Sequence, residues 1–200
     1  MATQAAQATQ NIILAGFGGQ GILFAGKLIA YAGLLEGREV SWLPSYGPEM
    51  RGGTANCSVC LSDEPIGSPL VVSPDVLVAL NQPSFDKFEH DIAPNGLALI
   101  DSSLVNCTEK RDDLHLVGFP ATKLAEEAGL KGLANVVTVG RLFAEIGFCK
   151  KETLFAAVEK CVSAAKIALV EKNKEALELG IASFEEMKKV SEKCPREEGE

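Results

Sequence analysis

Histidine is scarce in this chain, with two in 200 residues. Neither His90 nor His115 has a companion at metal-ligand spacing, and no His/Asp catalytic arrangement stands out. An excess of positive charge is missing too. The 19 Lys and Arg against 27 Asp and Glu leave a net charge of −8. That balance speaks against a broad nucleic-acid surface, which needs clustered cations. An acidic chain still binds an anion locally, through backbone N–H groups and one or two cations. No uncharged apolar stretch reaches the roughly 20 residues that span a bilayer. Residues 1–10 lack both the basic start and the apolar centre of a signal peptide. These absences predict a cytoplasmic protein with a frayed N-terminal tail and neither a nucleic acid nor a membrane as partner.

The six cysteines form no framework. Cys57 and Cys60 have CxxC spacing, which elsewhere marks a metal or redox pair. Here the pair falls in a stretch, Thr54 to Leu61, that reads as a strand. Residues i and i+3 of a strand face opposite sides, so the two thiols diverge. Cys107, Cys149, Cys161 and Cys194 are scattered, as reduced thiols in a cytosolic protein are. The sequence therefore assigns no metal ligand and no catalytic nucleophile.

What is present is an alternation of strands and helices. Short apolar runs at 11–15, 39–43, 54–61, 75–80, 96–101 and 114–119 read as strands, with a brief extended piece at 70–72. Helical spacing appears from Gln20 to near Gly37, after Pro83, and over 120–128, 133–146, 151–166 and 167–190. Alternation of this kind predicts an α/β fold, a three-layer α/β/α sandwich around a Rossmann-like, mostly parallel sheet. The cluster 54–72 supplies an antiparallel or hairpin element, and helices close the C-terminus. One domain over 11–190 accounts for the chain, followed by a disordered acidic tail at 191–200.

Two glycine-dense loops stand at successive strand ends. Gly16-x-Gly18-x-x-Gly21, between a strand and a helix, matches the dinucleotide fingerprint. Glycines let the backbone approach a pyrophosphate, and the helix N-terminus favours its charge. The acidic residue that grips a ribose at the end of the second strand is missing, since Trp42-Leu43-Pro44-Ser45 stands there. Gly21 to Leu28 nearly spells a P-loop, but Leu28 replaces the magnesium-holding Ser or Thr, and 22–25 are apolar. Tight strand–helix packing without any ligand also explains the glycines. The second loop, 44–53, sets Tyr46, Glu49 and Arg51 among prolines and glycines. Long irregular loops on a rigid scaffold usually meet a ligand or a partner chain.

The run Gly-Phe-Gly-Gly-Gln-Gly-Ile-Leu at 16–23, with Trp-Leu-Pro-Ser-Tyr-Gly-Pro-Glu-Met-Arg-Gly-Gly-Thr-Ala-Asn at 42–56, closely resembles the gamma subunit of 2-oxoacid:ferredoxin oxidoreductases. Segments 62–69, 74–81, 96–101 and 173–180 extend the likeness over roughly 11–180. The long second run looks most like the 2-oxoglutarate or branched-chain branch. The resemblance implies a non-autonomous subunit of an enzyme that converts a 2-oxoacid and coenzyme A to acyl-CoA and carbon dioxide. It implies alpha, beta and ferredoxin-type delta partners, with ferredoxin as acceptor, and self-association when the chain is isolated. Thiamine diphosphate, Mg²⁺ and iron–sulfur clusters are implied in the complex, and none is bound by this chain alone. The residues placed nearest coenzyme A or a neighbouring subunit are Gly16, Gly18, Gly19, Gln20, Gly21, Ser45, Tyr46, Glu49, Arg51 and Gly52. Two rival readings remain: a stand-alone NAD-binding oxidoreductase and a purely architectural subunit.

Overall fold

In the computed structural model, residues 9–45, 54–106, 111–162 and 167–193 are described, with side chains as far as 187. The strands are β1 (Thr9–Phe17), β2 (Glu39–Ser45), β3 (Thr54–Ser62), β4 (Val76–Ala79), β5 (Leu97–Asp101) and β6 (His115–Phe119). The helices are α1 (Ile22–Leu35), α2 (Gln82–Phe88), α3 (Ala121–Glu127), α4 (Ala134–Ile146), α5 (Lys151–Cys161) and α6 (Ala168–Lys193). A short 3₁₀ turn, Glu89–Asp91, follows α2.

The strands form one sheet in the order β2-β3-β1-β4-β5-β6. β3 pairs antiparallel with both β1 and β2, and the pairings of β4 with β1, β5 with β4 and β6 with β5 are parallel. The sheet is therefore mostly parallel with a β2–β3 hairpin element, as the strand pattern predicts. One face carries the larger core, where Ile12, Leu14, Val59, Leu61, Val78 and Leu99 meet α1 and the C-terminal helices. The other face packs Ile13, Ala15, Leu77, Ala79 and Ile100 against Phe85 of α2. Strand period two sends alternate residues of β1 to opposite layers.

Cys57 lies in the larger core, while Cys60 points to the other side of β3. Burial pushes the Cys57 thiol up to about 12, far from the thiolate that ligates metal. The near-P-loop resolves into helix packing. Residues 22–28 all lie within α1, and a Cβ on Gly26 would collide with the Cys57 sulfur and approach Trp42 Nε1 at 3.1 Å. One heptad on, a Cβ on Gly33 would come 2.5 Å from Leu61 Cδ2. These two glycines let α1 lie close on β3. Lys27 is half-buried, with Nζ 5.5 Å from the centre of the Tyr31 ring.

Three boundaries differ from the sequence expectation. Thr9 and Gln10 belong to β1, opposite Ser62 and Leu61. The Thr9 and Ser62 hydroxyls are 3.0 Å apart, and Arg38 Nη1 donates to Gln10 Oε1 at 3.1 Å. Polar cross-strand contacts, invisible to an apolar-run criterion, extend the strand. The piece at 70–72 joins no ladder, because Pro69 and Pro74 bracket it and proline offers no N–H. Only Val71 of that piece packs on the second core. Finally, α6 runs on to Lys193, since nothing breaks its Glu/Lys-rich pattern before Pro195.

Candidate functional site: the stapled glycine turn

The chain leaves β1 at Phe17 and enters α1 through a turn closed by Gln20 N–H donating to Phe17 C=O at 3.1 Å. Two residues of the turn hold left-handed backbone, Gly19 at φ +100° and Gly21 at φ +75°. Any L side chain there strains the backbone. The turn is held by the Gln20 side chain. Its Oε1 accepts the Phe17 N–H at 2.6 Å, and its Nε2 donates to Leu80 C=O at 2.9 Å. Gln20 thus bolts the turn to the C-terminal end of β4. Gly16 is required for this fold-back, because a Cβ there would lie 2.7 Å from Gln20 Oε1.

The remaining groups face outward. Gly19 is exposed, with nothing within 4 Å of the place a Cβ would take. Gly21 is the N-cap of α1, and no side chain caps the helix. The first helical bond runs from Ala25 N–H to Gly21 C=O at 3.0 Å. The N–H groups of Ile22, Leu23 and Phe24 therefore have no acceptor within their own helix. No acidic residue occupies that first turn, so nothing in it competes with an arriving anion.

A side chain that the sequence reading passed over completes the turn. Asn135, in the first turn of α4, is 4% exposed and donates from Nδ2 to Gly21 C=O at 3.0 Å. A Cβ on Gly21 would strike this amide at 2.5 Å, a second reason for glycine beside its φ. Asn135 Oδ1 is buried without a hydrogen-bond partner, which costs about 1–3 kcal/mol in a finished core. Asparagine opening a helix reads as an ordinary cap in sequence. Its depth and its reach to a turn 114 positions away emerge only in three dimensions.

The other predicted site residues divide in two. Ser45 ends β2, pairs with Asn56, and through Asn56 is level with Ala15 of β1. It lies at the same edge of the sheet as the glycine turn, two strands away, roughly 10 Å. Tyr46, Glu49, Arg51 and Gly52 fall outside the described residues. The structure thus brings Gly16, Gly18, Gly19, Gln20 and Gly21 into one turn and sets Ser45 on its flank. Gln20 and Gly16 shape the turn from within.

The topology removes the dinucleotide reading. In that motif the strand after the first helix lies beside the first strand and presents the ribose-binding acid. Here β3 separates β2 from β1, and the end of β2 carries Leu43, Pro44 and Ser45. Among the described residues, no helix is long and apolar enough to cross a membrane.

Residues 11–183 match the family described as Pyruvate ferredoxin/flavodoxin oxidoreductase. Ketoisovalerate oxidoreductase subunit VorA of Methanothermobacter thermautotrophicus is 42% identical over 170 residues, 85% of this chain and 35% of that one. The 2-oxoglutarate synthase subunit KorC of Methanocaldococcus jannaschii is 40% identical over 152 residues, 74% of this chain and 81% of its own length. The crystal structure of a keto/oxoacid ferredoxin oxidoreductase gamma subunit from Geobacter sulfurreducens superposes with a TM-score of 0.73 at 32% identity, covering 86% of this chain and 95% of that one. The chain therefore spans about a third of the first of these relatives and most of the other two.

Proposed function

This chain belongs to the Pyruvate ferredoxin/flavodoxin oxidoreductase family, and on that footing we propose that it is the gamma subunit of a multi-subunit 2-oxoacid:ferredoxin oxidoreductase. The assembled enzyme oxidatively decarboxylates 2-oxoglutarate or a related 2-oxoacid with coenzyme A, giving acyl-CoA and carbon dioxide. A domain of this kind occupies about a third of VorA and stands nearly alone as KorC. A unit found both within a longer polypeptide and as a separate subunit works beside the rest of that polypeptide. The partners in this reading are the alpha, beta and ferredoxin-type delta subunits, with ferredoxin accepting the electrons.

The observation that carries the proposal is the stapled turn. A rigid glycine turn in front of an uncapped helix of 14 residues suits a diphosphate, and coenzyme A carries one. The helix end supplies N–H donors and a partial positive charge without a lysine or arginine in the described turn. Coenzyme A supplies the thiol that takes the acyl group, and this chain holds and orients its anionic end. Thiamine diphosphate, Mg²⁺ and the clusters belong to the partners. The described residues do not suit them: Cys57 and Cys60 diverge, and the turn offers no carboxylate for Mg²⁺.

Gly19→Ala tests the assignment cleanly, because a methyl there meets nothing and only the backbone is strained. In the assembled enzyme we expect KM for coenzyme A to rise about tenfold, the size of a roughly 1–2 kcal/mol penalty on the binding conformation, with kcat within about twofold. An unchanged KM would leave the architectural reading in its place.

A further inference from the structure

The charge of this chain is not spread evenly. Residues 1–62 carry three cations, Lys27, Arg38 and Arg51, against three carboxylates, Glu36, Glu39 and Glu49, so the whole net charge of −8 falls on residues 63–200. The fold turns that division into a spatial one. β1, α1, β2 and β3 build one side of the sheet, with β2 at its border, and the acidic remainder builds the other side from β4 on. At a neutral end of an acidic molecule, a partner approaches without repulsion.

The border itself is open in two ways. β2 pairs with β3 alone, so its outer N–H and C=O groups meet no strand among the described residues. The usual guards of such an edge are weak. From Val40 to Ser45 the strand has no charged residue, and Pro44 withholds a donor only near its end. Beside the strand runs the outer flank of α1. Helical spacing lines up Leu23, Lys27, Ala30 and Leu34, while the opposite flank, with Ala25, Ile29 and Ala32, is buried in the domain. Leu34 is 59% exposed, and Trp42, the one tryptophan of the chain, is 37% exposed. Trp42 belongs to the same wall, since a Cβ on Gly26 of α1 would lie 3.1 Å from its indole nitrogen.

The size of this wall selects its occupant. β2 is about 23 Å long, and the strand and helix layers together stand about 20 Å tall. That reaches the lower end of specific interfaces only if edge and helix are covered together. A single extended peptide would fill the edge and leave Leu34 bare. A second copy covers both at matching heights. α1 sits over β2 and β3, because Gly26 approaches Trp42 and Cys57, and Gly33 approaches Val40 and Leu61. Joining two β2 edges therefore brings the two α1 helices to about 10 Å, a helix-packing distance.

We propose that two copies of this chain join through β2, antiparallel about a two-fold axis at Ser41, into one continuous sheet. Ser41 is the midpoint of 39–43, the part of β2 that precedes Pro44. In that register Trp42 lies beside the partner's Val40 and Glu39 opposite the partner's Leu43, so no like charges meet. The proposal does not depend on the coenzyme A reading. It gives the self-association implied by the resemblance a surface and a register.

Trp42 is also the probe. The full chain is followed by sedimentation velocity and by Trp42 emission between about 1 and 200 µM, the range in which so small an interface dissociates. We expect a monomer–dimer transition, with emission moving to shorter wavelength and acrylamide quenching falling in step. Ser41→Lys sets two cations face to face at the axis, and Leu34→Glu puts a carboxylate into the helix stripe. Each should weaken the dimer at least about tenfold. Leu70→Glu, at an exposed apolar residue between β3 and β4, should leave it unchanged. Circular dichroism checks that each variant folds, and either of the first two decides alone if the other does not. A chain still monomeric at about 200 µM overturns the proposal. It does so even if Trp42 is shielded in the assembled enzyme, because the edge then belongs to a different subunit. A dimer that forms without moving Trp42 emission overturns it too, as does one that Leu70→Glu weakens as much as Ser41→Lys, or one that neither Ser41→Lys nor Leu34→Glu weakens.

Discussion

Gly180→Ala lowers the stability of this protein by about 2 kcal/mol, opposite to the sign that helix propensity sets. Alanine within a helix is worth about 1 kcal/mol over glycine, so on an exposed helix the substitution stabilises. Here α6 crosses α4 backbone to backbone. A Cβ on Gly180 would run into the Val137 carbonyl oxygen and lie 2.7 Å from the Arg141 nitrogen. The reciprocal glycine, Gly140, would meet the Leu177 carbonyl in the same way. Side-chain tips can swing aside, but two packed helix backbones cannot, so the helices must separate and uncover Val137 and Leu177, both now fully buried. For a domain of this size the loss corresponds to a fall in Tm of about 5 °C, read by circular dichroism. Gly33→Ala is the comparison, because its methyl meets side chains and no backbone, the tip of Leu61 and Val40 Cγ2, and should cost less. A Tm equal to or above that of the parent in Gly180→Ala would mean that the crossing is loose and that propensity decides.

That crossing marks the limit of what could be read from the chain. The strands and helices are legible because each is a short apolar run or a 3.6-period stripe, but the purpose of Gly180 within the last of them is not. The mostly parallel sheet and the antiparallel element at β3 followed from alternation and from the spacing of the apolar runs. The place of β3 between β1 and β2 did not follow, since strand order is a tertiary property. That insertion separates a true GxGxxG turn from the dinucleotide fold whose signature it copies. At the site, the glycines are legible as a motif, whereas the structural part of Gln20, whose carboxamide bonds to Phe17 and Leu80, is not. Asn135 was missed altogether, since a contact across 114 positions leaves no local trace.

Glu145→Ala should cost about 3 kcal/mol or more, the expectation for stranding one member of a buried ion pair. Arg141, one turn earlier on α4, has a side chain 3% exposed, and Glu145 one 9% exposed. Glu145 Oε1 accepts from Arg141 Nε at 2.8 Å and lies 2.7 Å from Nη2. The guanidinium also lies over Phe119 of β6 at 5.5 Å and Phe184 of α6 at 5.3 Å, while Nη1 is 3.0 Å from the Met187 sulfur. The rings and the thioether offer the cation partial compensation, and among the described residues the Glu145 carboxylate neutralises it. Removing Glu145 leaves a charge that can reach water only by pulling α4 from β6 and α6. The double replacement Arg141→Met with Glu145→Leu removes both charges at similar volume and should recover most of the loss, because the pair's attraction is largely offset by its desolvation. Urea unfolding of the three proteins reads the difference directly. A double variant as unstable as the single one would show that the ring contacts, and not the charge balance, hold this corner. Glu145 lies about 15 Å along α4 from Asn135, so on the coenzyme A reading proposed above the single variant should, well below Tm, bind coenzyme A as the parent does. Stability and the geometry of the glycine turn are then separable along one helix, whose opening turn holds Gly21 through Asn135 and whose closing turn packs against β6 and α6.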